Sequence, residues 1–282
     1  MSKESVETDA KMISTLTKHE KLGQLRILLP GVPSVSSRGY LGYCTVVLFK
    51  LNGEWALFDT GHYNDRHLLI AGLNQAGLAS DDIRHVILSH LHFDHTLNLP
   101  LFKKAAVCIS QAELDYAKRV QAGEVIDHSI PDFWPLLLEN RQIQIVEDTV
   151  ELSSSVKLVH LPGHTPGCMA MFYGGPSTVA VCGDVIKNAW EAVTGESALA
   201  LADRAASRSS IEAVRQQASV VIPGHDRPFV WDEKGIQFLT AFSWEIRTSL
   251  YPDEQNKSAL KINLPADVAA GRRPEELTDK GV

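Results

Sequence analysis

The chain has 282 residues, 44% of them hydrophobic and 22% charged, with a formal net charge of −7. That length and apolar content suit one large buried core, and the acidic balance argues against a surface built to track nucleic-acid phosphates. The opening Met-Ser-Lys-Glu-Ser-Val-Glu-Thr-Asp-Ala lacks the apolar centre of a secretory signal and no later run approaches the length of a membrane span, so neither a secreted nor a membrane-inserted protein is expected, and a cytoplasmic one is.

In chain order, residues 1–20 read as a polar extension, 21–251 as the folded domain, and 252–282 as a polar tail or an arm over a second subunit of a homodimer. Asp59 follows an apolar run in Leu57-Phe-Asp-Thr-Gly61. The apolar, β-branched stretch from Arg84 to Ser89 predicts a buried strand that delivers His90-Leu-His92-Phe-Asp94-His95 to its C-terminal edge. Three imidazoles and a carboxylate in six residues point to a divalent metal, because such groups are costly to bury without a cation, and the mixed N/O set suits a hydrolytic site rather than a thiolate structural one. His90 and His92 alternate in the extended sense and can share one direction. Asp94 and His95 need a turn to reach a second position, so one loop can feed two metals.

A strand over Ala105–Ile109 comes next. Ala122 to Gln144 then carries Phe133, Trp134 and Leu136–Leu138, either a helical lid with apolar side chains toward a pocket or a core-packing helix. Three further strand-like runs each end at a ligand candidate beside glycine: Val156–Leu161 before Gly163-His164, Thr178–Cys182 before Gly183-Asp184, and Ser219–Ile222 before Gly224-His225. Lys187, Asn188 and Trp190 follow Asp184 as pocket-lining or surface-loop residues. Leu199–Gln217 predicts a helix with solvent-facing basic residues, and the apolar spacing of Ile236, Phe238, Leu239, Phe242 and Ile246 predicts an amphipathic helix over Gly235–Tyr251. His19, His62, His67, His85, His128 and His160 read as ordinary polar residues. Cys44, Cys108, Cys168 and Cys182 have no paired spacing, which fits a reducing compartment.

The series His-x-His-x-Asp-His, Gly-His, Gly-Asp, Gly-His, in this order and over roughly residues 40 to 230, resembles the metallo-β-lactamase superfamily. The resemblance implies an α/β fold, a four-layer αβ/βα sandwich with metals at one edge of its two sheets. It assigns His90, His92 and His164 to one metal and Asp94, His95 and His225 to another, with Asp184 bridging and Asp59 orienting a ligand. Two divalent ions, Zn first with Fe, Mn or Co as alternatives, would furnish a bridging hydroxide, and Asp94 and Asp184 become the catalytic carboxylates. Ile109–Ala117 resembles the corresponding stretch of N-acyl homoserine lactonases, which implies a small lactone or ester substrate and a quorum-quenching role. Those lactonases usually carry a tyrosine three residues past the bridging aspartate, where this chain has Lys187. Lys187, Trp134 and Phe133 are therefore the expected substrate contacts. A thioesterase like glyoxalase II and a phosphodiesterase are the alternatives, whereas the bridging Asp184 argues against the secreted antibiotic-degrading enzymes.

Overall fold

A computed structural model describes residues 19–37, 39–174, 178–197, 203–232, 235–248 and 258–264. The N-terminal extension up to residue 18 and most of the C-terminal tail lie outside these residues. The strands are β1 (Arg26–Leu29), β2 (Val35–Ser36), β3 (Gly39–Tyr40), β4 (Val46–Leu51), β5 (Glu54–Phe58), β6 (Ile83–Ile87), β7 (Ala106–Ser110), β8 (Ile143–Val146), β9 (Thr149–Ser153), β10 (Val156–His160), β11 (Met169–Tyr173), β12 (Val179–Val181), β13 (Val220–Ile222), β14 (Phe229–Asp232), β15 (Gly235–Phe238), β16 (Phe242–Thr248) and β17 (Ser258–Leu264). The helices are α1 (Arg66–Gln75), α2 (Phe93–Thr96), α3 (Gln111–Gln121), α4 (Trp134–Leu138), α5 (Ala189–Thr194) and α6 (Arg204–Gln217).

Strand alternation builds the layers. On β4, Val46 and Leu48 face one apolar cluster while Val47, Phe49 and Leu51 face another. On β11, β12 and β13 the same period-2 pattern sends Met169, Met171, Val179, Val181, Val220 and Ile222 to the second cluster, and Ala170, Phe172, Ala180 and Val221 to a third. The second cluster is thus the seam between a six-stranded sheet, in the order β1-β4-β5-β6-β7-β8, and a seven-stranded one, in the order β15-β14-β13-β12-β11-β10-β9. Leu69 and Leu73 of α1 and Tyr116 and Ala117 of α3 cover the first sheet outside, while Ala189 and Ala192 of α5 and Ile211 and Val214 of α6 cover the second. Both faces of each sheet are therefore buried, which is why these strands read as continuous apolar runs. The expected four-layer αβ/βα sandwich is the observed architecture. No helix among the described residues is long and apolar enough to cross a membrane.

Both sheets are mixed. β5, β6, β7 and β8 run parallel, as do β12 and β13, with antiparallel partners outside them. The five segments that hold the candidate residues, beginning at Asp59, His90, His164, Asp184 and His225, all follow the C-terminal ends of strands β5, β6, β10, β12 and β13. Direct hydrogen bonds stitch the two sheet edges there: Met169 N donates to Ser89 O at 3.0 Å, and Thr45 N donates to Gly224 O at 2.7 Å.

Two expected helices are corrected. Residues 235–248 form β15 and β16 instead of an amphipathic helix, and β16 pairs antiparallel with β17 from the expected tail. Phe242, Trp244 and Ile246 alternate, so the apolar positions that fit a 3.6 period also fit a strand. Arg227 anchors this hairpin, its guanidinium 3.6 Å from the Phe238 ring centre and Nη1 donating to the carbonyls of Thr240 and Leu264. The helix expected within Ala122–Gln144 is confined to α4, the chain before it being irregular, with Gly123 and Pro131 as breakers.

Phe49, fully buried in the seam and edge-on to Tyr173 at 6.4 Å, carries part of the cohesion between sheets. Phe49→Ala is expected to cost about 3–5 kcal/mol, read as a lower urea midpoint with the slope unchanged.

Candidate metal centre

The loop after β6 enters the site extended and then turns. His92 has φ −63° and ψ 148°, and Phe93–Thr96 closes one helical turn, held by Thr60, whose backbone N and Oγ1 both donate to His95 O at 2.8 Å. That turn separates His90 and His92 from Asp94 and His95 as the spacing predicts. Gly183 takes φ 49° and abuts Ser89: a Cβ there would lie 2.5 Å from the Ser89 Cβ, so only glycine brings Asp184 this close to the His90 loop. The Asp184 and His225 loops are tied by backbone bonds from Gly224 N to Ile186 O at 3.0 Å and from His225 N to Lys187 O at 2.6 Å.

All seven candidate ligands are gathered and buried. His90, His92, His164 and Asp184 offer donor atoms that lie within 4.8 Å of one another, and Asp94, His95 and His225 form a second such group. Asp184 lies between the two. Its Oδ2 is 3.2 Å from His164 Nε2, while Oδ1 is 3.1 Å from His225 Nε2 and 3.3 Å from His95 Nε2. Asp94 Oδ2 approaches His225 Nε2 at 3.4 Å.

The outer faces of the imidazoles decide what the inner faces can do. His225 Nδ1 lies 3.0 Å from Tyr43 O, which only accepts, so this nitrogen carries the proton. Asp127 Oδ2 takes the same role at His92 Nε2, 2.9 Å away, and Asp59 Oδ2 at His95 Nδ1, 2.7 Å away. Ser89 Oγ donates to Asp59 Oδ2 at 2.8 Å, which leaves it to accept from His90 Nδ1 at 2.9 Å. In four of the five histidines the lone pair is thereby turned inward. Inside, His90 Nε2, His95 Nε2, His225 Nε2 and Asp184 Oδ1 are buried without an aligned hydrogen bond. Buried polar atoms of this kind are normally satisfied, and the mixed N/O donor set fits divalent cations of the Zn, Fe, Mn or Co type.

The electrostatics reflect how tightly like and unlike charges are packed at this centre. Burial and the neighbouring imidazoles hold His90 well below the usual histidine range. Burial also opposes charge on His95, but Cys44 and the carboxylates of Asp94, Asp59 and Asp184 outweigh it and push His95 well above that range. Asp184 is held well below the carboxylate range: burial works against this, and His225, His164 and His95 overcome it. Asp127 is lowered to about 2, its burial outweighed by His92, the Ser129 N–H and the Tyr116 hydroxyl.

Asp59 sits where an orienter would, in a left-handed conformation at φ 58°, accepting also from Ser89 N at 2.7 Å. Such a conformation is uncommon for a residue other than glycine and points to a constrained role. Lys187 Nζ lies 3.8 Å from Asp184 Oδ2. Phe133 is 50% exposed, whereas Trp134 is packed into the apolar cluster outside the first sheet. Asn188 caps α5, its Oδ1 accepting from Glu191 N, and Trp190 is exposed. His85 and His160 have partners of their own in Glu54 and Pro166 O.

Sequence reasoning missed Ser89, Asp127, Tyr116 and Glu113. Tyr116 donates to Asp127 Oδ2 at 3.1 Å, which holds the carboxylate against His92. Glu113 sits three residues past the α3 cap Ser110, a spacing that suggests a capping glutamate. Its side chain instead turns inward, accepting from Leu91 N at 2.9 Å, Thr165 Oγ1 at 2.6 Å and Gly167 N at 3.1 Å, and so ties the His92 loop to the His164 loop. Its usable signal was a charge on the buried face of an amphipathic helix. Glu113→Ala leaves three buried donors without an acceptor and is expected to cost about 3–5 kcal/mol, measured by chemical denaturation.

Residues 39–225 match the model of the metallo-beta-lactamase superfamily. An N-acyl homoserine lactonase from Bacillus sp. is 29% identical over 162 residues, which are 55% of this chain, and the chain spans 60% of that relative's length. Metallo-beta-lactamase domain-containing protein 1 from Mus musculus is 30% identical over 221 residues, 73% of this chain and 75% of the mouse protein. Among solved structures, Bacillus thuringiensis AiiA with N-decanoyl-L-homoserine at its active site superposes with a TM-score of 0.54 at 20% identity, covering 65% of this chain and 82% of that one, a likeness of fold. The family match runs through all seven gathered residues, and the chain belongs to the metallo-β-lactamase superfamily.

Proposed function

We propose that the chain is a dinuclear metal-dependent hydrolase that opens a lactone or a similar ester. The observation that carries the reading is Asp184, whose two oxygens face the two histidine groups separately. His90, His92 and His164 would hold one ion and Asp94, His95 and His225 the other, with Asp184 shared between them. Ions held there supply Lewis acidity and lower the pKa of a water toward neutrality. The substrate class rests on the likeness to the Bacillus lactonase.

The chain's own groups have distinct tasks. Asp59, Ser89, Asp127 and the Tyr43 carbonyl keep the imidazole protons outside, which fixes tautomer and ring orientation. Asp94, buried at the second group with Oδ2 near His225, is placed to pass a proton to the leaving alkoxide. Lys187, with a side chain only 12% exposed, presents a cation beside Asp184 for a carbonyl or anionic oxygen. Phe133, half exposed, would serve as an apolar contact for the rest of the substrate. The four cysteines are free and buried, which fits a cytoplasmic setting.

Asp184→Asn removes the shared charge, and metal analysis is expected to fall from about two ions per chain toward one, with turnover lost; two ions and full activity in this variant would overturn the bridging role. Asp127→Ala frees the outer nitrogen of His92 and is expected to weaken metal affinity about 10- to 100-fold, read by competition with a chromogenic chelator. The substrate reading is tested with the metal-loaded protein and a chelated control on acyl homoserine lactones of several chain lengths, γ- and δ-lactones, S-lactoylglutathione, a chromogenic β-lactam and bis-p-nitrophenyl phosphate. Chelator-sensitive lactone hydrolysis supports it, and preference for the thioester or the phosphodiester overturns it.

A further inference from the structure

Tyr40 ends β3, the second strand of the short β2–β3 hairpin. The residue is 43% exposed overall, yet its ring stands edge-on to the His225 ring, with centroids 5.2 Å apart and planes at 86°. The exposed hairpin thus carries a tyrosine whose ring packs directly on one of the buried candidate ligands.

Gly42 makes this placement possible. A Cβ on Gly42 would collide with Cζ, the hydroxyl oxygen and Cε1 of Tyr40. Its backbone is not in the left-handed region, so glycine is needed at 42 for space alone, and the space is taken by the reactive end of the phenol.

We propose that Tyr40 is a substrate-contacting residue, whose hydroxyl donates a hydrogen bond to an oxygen of the substrate's reacting group from the side of the His225 ring. Lys187 reaches Asp184 from the segment after β12, so the two donors come from different loops, a neutral phenol on the hairpin and a cation on the α5 side. A preorganised donor of this kind acts most strongly where charge develops on that oxygen during the reaction. The proposal rests on the hydrolase reading of the site, and leaves open which ester is the substrate.

Tyr40→Phe removes the hydroxyl and keeps the ring against His225. On whichever ester of the panel the wild type prefers, kcat/KM is expected to fall about 10- to 100-fold, mostly in kcat, with the metal content per chain unchanged. Gly42→Ala keeps the hydroxyl but displaces it, and a loss in the same direction is expected. Calorimetric binding of 4-hydroxybutanoate, an opened γ-lactone, to the metal-loaded protein gives a readout independent of turnover, and weaker binding by Tyr40→Phe is expected. Wild-type kcat/KM together with wild-type affinity in Tyr40→Phe would overturn the role of Tyr40. A wild type that prefers the thioester or the phosphodiester overturns the lactone reading by itself, and the Tyr40→Phe comparison on that substrate still decides the role of the phenol.

Discussion

Four of the five imidazoles turn their lone pairs toward a common centre because an acceptor outside takes the proton of each. That requirement organises the whole edge of the sandwich. The acceptors that meet it come from distant parts of the chain: Asp59 after β5, Ser89 after β6, Asp127 in the irregular segment before α4, and the Tyr43 carbonyl ahead of β4. The two carboxylates are themselves held, Asp59 by Ser89 and Asp127 by Tyr116 and Ser129 N. The inner cluster of buried, unaligned nitrogens is therefore a consequence of an outer shell that is well satisfied, which is the arrangement a metal site requires and a packed apolar core does not.

The sandwich supplies the platform for that shell. Parallel pairs β5–β6 and β12–β13 bring Asp59 beside the His90 loop and Asp184 beside the His225 loop. The seam around Phe49, Met171 and Val181 fixes the distance between the two pairs. Glu113 then locks the two loops that cross the seam, with one carboxyl group serving donors from both Leu91 and Gly167. Burial raises its pKa, and the three donors pull the other way.

Much of this was legible in the residues. The gathering of the seven candidate ligands was readable because histidine, aspartate and glycine recur just past apolar runs, and a strand end followed by a sharp turn leaves little choice of direction. The supporting shell was not, because Ser89, Asp127 and Glu113 act through contacts between segments far apart in the chain, and nothing local distinguishes them from a turn serine, a loop aspartate or a helix-capping glutamate. The C-terminal hairpin was misread for a different reason. Phe238, Phe242 and Ile246 satisfy helical and extended periods alike, and pairing with Ser258–Leu264, a stretch that reads as tail, resolves the choice only in three dimensions. Trp134 shows the limit of composition as a guide to a pocket, since an aromatic beside an exposed Phe133 turned to the core instead.

The chain order of the site has a consequence for its assembly in time. The six-stranded sheet is complete once β8 has formed, and it already carries Asp59 and the whole His90–His95 loop, whereas His164, Asp184 and His225 arrive only with strands β10, β12 and β13 of the other sheet. A first half folded on its own would present only a partial set of these donors beside an unburied seam, the rest coming with the late strands. A divalent ion that draws donors from both sheets would therefore be held fully only once the two halves have docked, which would couple its binding to closure of the seam.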